Sequence, residues 1–551
     1  MNIAYLFAKT LALKAKAFEK ATKDPILNQK KVLLEYLRRN KNTEYGKKFG
    51  FSRIRSIADY QKTVPMSDCT TLRPYIDKMR EGATNILTSD KTIFFGTTTG
   101  TTSIPKLIPV TEYSRRKKAE IQDLWAYYII RDHPDILDGK ILAIVGSEIE
   151  YFTETGIPCG AESGHGYKNL LFVIRPLYVL PPQIFDIVDY ESRYYCTLRI
   201  AMTHNITTIA ALSPSTIILL CQKITLWKKR LINDIRKGTL DPGINIPKDI
   251  RRSIERSLRP KPKRAKELEN ILKEKKELLP KYFWPNLKLI ECWKAGMSKL
   301  YLKELPFFFG NVPIRDFGCL STEARSSIPI SDTGAGGILA IKTNFYEFVP
   351  KEDMCKSVKR FLLCNEIEKG KEYFLIVTTP GGFFRYHIDD IITVVGFFNK
   401  TPMIEFVQKG LSASSLVGEK LYESHVIEAV NSAVDEHGLI LKFFSASVQH
   451  NIPSRYIFLV EFGIEPSREK KKAFLDAIEK GLYKQNTEYE SKRMQQLLAP
   501  PILKVVKEGE FEKYRAKRTR AGAHDGQFKV PELNPSPDFQ NNFAIKEEIS
   551  M

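Results

Sequence analysis

Ile93-Phe94-Phe95-Gly96-Thr97-Thr98-Thr99-Gly100-Thr101-Thr102-Ser103-Ile104-Pro105-Lys106 is the stretch whose reading decides the fold. The run Ile93, Phe94, Phe95 is β-branched and aromatic, so it reads as a strand. The hydroxyl residues around Gly100 then offer backbone N–H and side-chain O–H donors. Lys106 adds a positive charge at the end of the loop. That combination suits an anion such as a phosphate, held in a nest of donors. The G-x-x-x-x-G-K-[ST] pattern is absent, because the glycine spacing and the terminal hydroxyl differ. Taken alone, such a turn also serves as a plain connection between strands.

Working outward, residues 92–350 alternate short apolar runs with helical segments; KTIFFG, KILAIVG, ITTIAAL, LKLIEC and GGILAI are examples. This alternation argues for α/β layers. Residues 1–85 read as helical, with apolar positions at helical spacing through Leu33, Leu34, Tyr36 and Leu37. The stretch from Phe374 to Phe406 reads as strands joined by a Pro-Gly-Gly turn. After the small polar segment QKGLSASS come a helix (Ser424 to Glu436), two strands (LKFFSASVQ and YIFLVEFG) and a second helix (Ser467 to Tyr483). The expected fold class is α/β. A large N-terminal domain of layered sheets and helices (1–407) is expected to join a small mobile α+β C-terminal domain (416–551) through a hinge at 408–415. No internal repeat is present.

The 551 residues are 43% hydrophobic and 27% charged, which excludes a mainly disordered chain. No apolar run of the length needed to span a membrane occurs. The N-terminal segment reads as an amphipathic helix, packed on the body of the protein or lying on a membrane surface. Eight cysteines without a C-x-x-C pair fit a reducing, cytoplasmic setting. The balance of 85 Lys+Arg against 64 Asp+Glu gives +21, which attracts anions. Thirteen basic and six acidic residues fall between Lys248 and Lys281. They read as a solvated helical insertion broken by Pro260 and Pro262. No aromatic residues interleave there to stack bases, so nucleic acid is not an expected partner.

Two more segments carry chemistry. Gly318-Cys319-Leu320-Ser321-Thr322-Glu323 sets a carboxylate beside two hydroxyls, a set able to hold Mg²⁺ and meet phosphate oxygens. Ser-Thr-Glu also suits a helix start. Phe384-Arg385-Tyr386-His387-Ile388-Asp389-Asp390 places acidic residues at an expected strand end, where a carboxylate can accept both hydroxyl protons of a ribose.

Together, in this order, the three segments resemble the adenylate-forming enzyme superfamily. Thr98 to Lys106 is similar to its signature loop, Thr322-Glu323 to its Thr-Glu pair and Asp390 to its ribose-binding aspartate. YQKTVPMSDCTTLRPYIDKMREG, ILAIVGSEIEYFTETGIPCGAESG, LSPSTIILL, LKLIECWKAG and GGFFRYHIDDIITVVGF narrow the likeness. They resemble the auxin-responsive-promoter family of acyl acid amido synthetases, in a bacterial-type member, over residues from about 30 to about 530.

The resemblance implies an ATP-dependent ligase. A small carboxylic acid is adenylated with release of pyrophosphate, and an amine, usually an amino acid, then takes the acyl group. It implies that Thr98, Thr99, Gly100, Thr101, Thr102, Ser103 and Lys106 cradle phosphates. Thr322 and Glu323 would serve ATP and Mg²⁺, with Glu323 the metal ligand, and Asp390 would hold the ribose. Trp293 to Gly296 would pass the adenine, and Lys420 and Lys529 would be the catalytic lysines of the small domain. The acyl pocket is expected between Arg115 and Tyr167 and near Ser326 to Pro329. Ser103, Cys319, His387 and Asp389 depart from the family pattern. A monomer is expected, with weak contact to an anionic membrane as a further partner. A thiol-accepting acyl-CoA-type ligase and a catalytically silent nucleotide-binding scaffold are the alternative readings.

Overall fold

The computed structural model describes residues 3–98, 106–296, 298–354, 356–410, 413–414, 416, 419, 421–451, 453–494, 498–520 and 530–551. Two compact units form. One holds Met1–Ile388 and Ile392–Phe406, and the other holds Asp389–Ile391 and Val407–Met551.

In the first unit, β1 (Thr92–Thr98) pairs antiparallel with β2 (Lys106–Thr111). Then come β3 (Lys140–Ile144) and the short strands β4 (Tyr151–Phe152) and β5 (Pro158–Gly160). The first sheet runs β2-β1-β5-β4. β6 (Ile206–Ala211), β7 (Leu289–Glu291) and β8 (Ile314–Arg315) join β3 in a second sheet. Its order is β3-β6-β7-β8, and each neighbouring pair is parallel. The predicted strands near 93, 141, 206 and 289 therefore all form.

A third sheet contains β9 (Ser327–Ile328), β10 (Gly337–Leu339), β11 (Phe345–Pro350), β12 (Glu372–Thr378), β13 (Tyr386–Phe398) and β14 (Thr401–Lys409), in the order β11-β12-β13-β14-β10-β9. The second unit has a two-stranded sheet of β15 (Ala413–Ser414) and β16 (Leu421–Tyr422). Its larger sheet is β17 (Leu441–Gln449), β18 (Arg455–Phe462), β19 (Ile502–Val506) and β20 (Ile545–Ser550), in that order. The unit also holds helices Glu423–His437, Arg468–Gln485 (capped by Ser467), Thr487–Met494 and Glu510–Arg520.

Burial follows the sequence pattern. Leu33, Tyr36 and Leu37 of helix Pro25–Asn40 enter the first core, and Leu34 is half-buried. Helix Ile3–Ala21 buries Leu11, Ala15 and Phe18, and Lys14 pairs with Asp123, so this amphipathic helix packs on the body of its unit. Among the described residues no helix is long and apolar enough to cross a membrane. The charged segment forms helices Lys248–Ser257 and Pro262–Lys275, divided as the prolines require. It is not a purely solvated insertion, because Ile250, Ile254, Ala265 and Leu268 lie in the second core. Its charges occupy the outer faces of helices whose apolar stripes are buried.

Segment 384–387 is pinned from inside. The Arg385 guanidinium donates to both Glu347 oxygens at 2.9 Å, and to the carbonyls of Gln61 (2.8 Å) and Val64 (2.7 Å). Its backbone, at φ +48°, donates to Thr378 Oγ1 at 3.0 Å. Both charges are buried. Burial pushes the Glu347 carboxyl up, and Arg385 opposes that shift. Arg385→Met leaves the Glu347 charge in the core with only the Gln61 amide (3.0 Å) as a side-chain partner, so denaturant unfolding should show a loss of about 3–5 kcal/mol. A loss below about 1 kcal/mol would refute this account.

One sequence expectation is corrected here. Asp390 sits inside the thirteen-residue β13 and not at a strand end. The neighbouring Asp389 takes φ +65°, and its carbonyl accepts from Gly410 N at 2.8 Å. The strand absorbs this left-handed residue and continues.

Candidate active site

The site is built on the carboxyl edge of the parallel sheet, where loops after the strands converge. β1 arrives with Phe94 and Phe95 buried. A Cβ on Gly96 would stand 2.6 Å from Thr322 Cγ2, so only glycine lets β1 approach Thr322 this closely. Thr97 donates to a Glu150 carboxylate oxygen at 3.1 Å. The backbone of Thr98 pairs with that of Lys106 across the hairpin. Thr99, Gly100, Thr101, Thr102 and Ser103 lie outside the described residues, as do Lys420 and Lys529.

The second segment leaves the sheet after β8. Gly318 adopts φ +82°, and a Cβ there would meet the Ser327 carbonyl oxygen at 2.7 Å. Cys319 is buried, and its N–H donates to Ser327 Oγ at 2.9 Å. Ser321 N donates to the Ala324 carbonyl at 2.9 Å, and Ala324 N to Ser321 Oγ at 3.2 Å. Thr322 and Glu323 thus form the tip of a closed turn, and the helix-start reading of this segment is not realised. What closes the turn is the bond from Ser321 N to the Ala324 carbonyl, which a helix starting at Ser321 would not make.

Lys118, which the sequence did not single out, holds this corner together. It projects from helix Glu112–Asp132, whose start is fixed by a Thr111–Ser114 capping box. Its ammonium donates to both Glu162 oxygens (2.7 and 2.9 Å) and to the Thr322 carbonyl (2.8 Å). Glu162 begins helix Glu162–Lys168 and also faces Gly96. One lysine therefore fixes a helix start to the Thr322 tip beside β1. In sequence Lys118 is one of four consecutive basic residues, and nothing in that run marks it.

Lys106 and Glu323 share a neighbour. Burial raises the Cys69 thiol pKa, Lys106 lowers it and Glu323 raises it. Glu323 is only 7% exposed. Its carboxylate makes no hydrogen bond or ion pair with another described residue.

Behind the turn, Trp125 stacks on Phe317 with centroids 5.1 Å apart and donates to the Asp316 carbonyl at 3.0 Å. The Arg325 guanidinium lies 5.0 Å from the Trp125 ring and donates to Gln122. The loop after β7 starts at Trp293, whose N–H donates to the Leu212 carbonyl at 2.9 Å. Lys294 N donates to Asp316 Oδ2 at 2.6 Å. The 293–296 and 318–323 segments thus lie side by side.

In the second unit, Glu419 is buried and accepts from Leu416 N (2.7 Å) and the Tyr456 hydroxyl. Glu423 accepts from Glu532 N at 2.7 Å. The chain segments flanking positions 420 and 529 are therefore joined to each other. Asp390 is buried in the same unit.

Glu291, at the carboxyl end of β7, is the strongly perturbed acid of this region. Burial lifts its carboxyl to about 8, against the pull of Arg315 and Arg325. The native state then keeps a proton that the unfolded chain releases above the ordinary carboxylate range. Its stabilising contribution is full below about pH 4.5 and is lost as pH rises toward 8. Relative to Glu291→Gln, the wild-type protein should lose up to about 1.4 kcal/mol of stability per pH unit across that window. Denaturant unfolding at several pH values checks this, and parallel profiles would overturn it.

The chain matches the GH3 family N-terminal domain over residues 14–314, the central domain over 337–409 and the C-terminal domain over 424–538. It is 26% identical over 539 residues to the indole-3-acetic acid-amido synthetase GH3.3 of Arabidopsis thaliana, covering 93% of this chain and 90% of that one. The jasmonoyl-L-amino acid synthetase JAR4 of Nicotiana attenuata is 24% identical over 535 residues, covering 93% and 92%. A solved GH3.15 acyl acid amido synthetase superposes with a TM-score of 0.87 at 23% identity, covering 97% of each chain, so the fold is shared. The expectation of a bacterial-type member is not borne out, since the named relatives are plant proteins. With its first domain match alone spanning more than half of its length, this chain belongs to the GH3 family.

Proposed function

We propose that this chain is an ATP-dependent acyl acid amido synthetase that joins a small carboxylic acid to an amine, in most cases an amino acid. The family match supports this reading, as do the names of the relatives, which conjugate indole-3-acetic acid or form jasmonoyl–amino acid products. The observation that carries it is the close approach of Thr322 to Gly96 of β1, with Lys118 holding the Thr322 carbonyl.

In the first half-reaction a carboxylate oxygen of the acid attacks the α-phosphorus of ATP and pyrophosphate leaves. In the second, the amine nitrogen attacks the acyl carbon, AMP leaves and the nitrogen loses a proton. Thr98 to Ser103 and Lys106 would neutralise and position the phosphates. Asp390 would accept from the ribose hydroxyls, and Trp293 to Gly296 would flank the adenine. The acyl pocket would be lined from the 115–167 region and by Ser326 to Pro329.

Among the described residues no group of three or more potential metal ligands exists. Mg²⁺ needs none, because it binds through one or two carboxylates plus phosphates and water. The nearly buried Glu323, with no described hydrogen-bond or ion-pair partner, fits that requirement. When bound, the ion would offset phosphate charge. Lys420 and Lys529 of the small domain would place a cation where charge builds between carboxylate and phosphate.

Pyrophosphate release from ATP, measured with a panel of carboxylic acids with and without amino acids, tests the reading. Release that requires an acid, together with an amide seen by mass spectrometry, is expected. Release with coenzyme A and a thioester product would instead indicate an acyl-CoA-type ligase, and no ATP binding would indicate a silent scaffold. Lys529→Ala should slow adenylation at least a hundredfold while ATP affinity changes little. Glu323→Ala should raise the Mg²⁺ concentration needed for half-maximal turnover. Wild-type rates in the first variant, or an unchanged Mg²⁺ response in the second, would refute the corresponding role.

A further inference from the structure

Asp316 is the first residue after β8 and is 2% exposed. Its Oδ1 accepts from the Gly318 backbone N–H, and its Oδ2 accepts from that of Lys294 at 2.6 Å. Each donor lies three residues past its strand, Lys294 past β7 and Gly318 past β8. Beyond a strand end the ladder no longer pairs backbone groups, and a buried N–H needs another acceptor. One carboxylate supplies both acceptors. It thereby fastens the 293–296 and 318–323 loops together, while its own carbonyl is held by Trp125.

The geometry points to Asp316 as a positioning residue for the nucleotide: its ionised carboxylate holds the two loops in the single arrangement that binds adenylate, and protonation releases one of them. This inference rests on the reading of those loops as nucleotide-binding. Only the ionised form offers both oxygens as acceptors. The charged groups around it are Lys294 and the buried Arg325, which favour the ionised form, and Glu405 on β14, which opposes it; the Cys292 thiol lies beside them. The adjacent Arg315 is taken up by Asp132 and Asp332. Burial lifts the Asp316 carboxyl to about 6, against the two backbone donors and Lys294. Above about pH 6 both loops are tied, and below it one tie is lost, so adenylate affinity falls as pH falls.

The probe is the methyl ester of AMP, a phosphate diester whose charge is constant over this range. Calorimetric binding to the full chain from pH 5 to pH 8 should show wild-type affinity weakening by up to tenfold per unit below about pH 6. Asp316→Asn keeps the shape but presents an amide N–H₂ to one backbone donor. It should bind the ester tenfold or more weakly at pH 7.5, with a flat profile. In turnover it should raise KM for ATP with a much smaller change in kcat. Wild-type affinity that stays constant with pH, or an Asp316→Asn variant that keeps the acid limb, overturns the proposal. The wild-type profile decides the matter even if the variant does not fold. Failure of the wild-type protein to bind the ester at any pH overturns the nucleotide reading itself, and this proposal with it.

Discussion

In the central sheet every neighbouring pair of strands is parallel, so the loops after β3, β6, β7 and β8 all emerge on one edge. The candidate site depends on this constraint. Parallel strands need long crossovers, and here the crossovers are helices whose apolar faces form the second core. The core thereby fixes the edge, and the edge gathers Trp293, Asp316, Thr322 and Glu323 from the loops that follow β7 and β8.

Polar side chains then finish what the sheet begins. The strands end at Glu291 and Arg315, and backbone donors beyond them would be left unpaired. Asp316 takes two of them, Ser327 takes one and the Ser321–Ala324 turn closes on itself. Lys118 adds a charge-assisted grip on the Thr322 carbonyl. These contacts are buried or half-buried, where a lost partner costs more than on the surface. Glycine completes the corner at positions 96 and 318, where a side chain would collide with Thr322 or Ser327.

The basic surplus separates from the chemistry. Lys106, Lys420 and Lys529 fall in segments proposed to meet ATP and the acyl-adenylate. The residues of 248–281 stand on the outer faces of two helices whose inner faces are core, so their abundance reflects solvated helix surface.

The sequence by itself determined the α/β class, the strands near 93, 141, 206 and 289, and the helices Glu423–His437 and Arg468–Gln485, because hydrophobic period and turn residues are local properties. It also carried the Thr-rich loop and the Thr322-Glu323 pair, whose residue types announce phosphate and metal chemistry. Only the tertiary structure decided that Asp390 lies within a strand, that 321–323 closes a turn instead of starting a helix, and that Lys118 and Asp316 serve the site. Three of those outcomes depend on a partner remote in sequence, Thr322 for Lys118, Lys294 for Asp316 and Gly410 for Asp389, while the turn at 321–323 closes locally on Ala324. A lysine in a basic run or an aspartate after a short strand has no local mark of such a partner, because long-range pairing is settled by packing and not by neighbours in the chain.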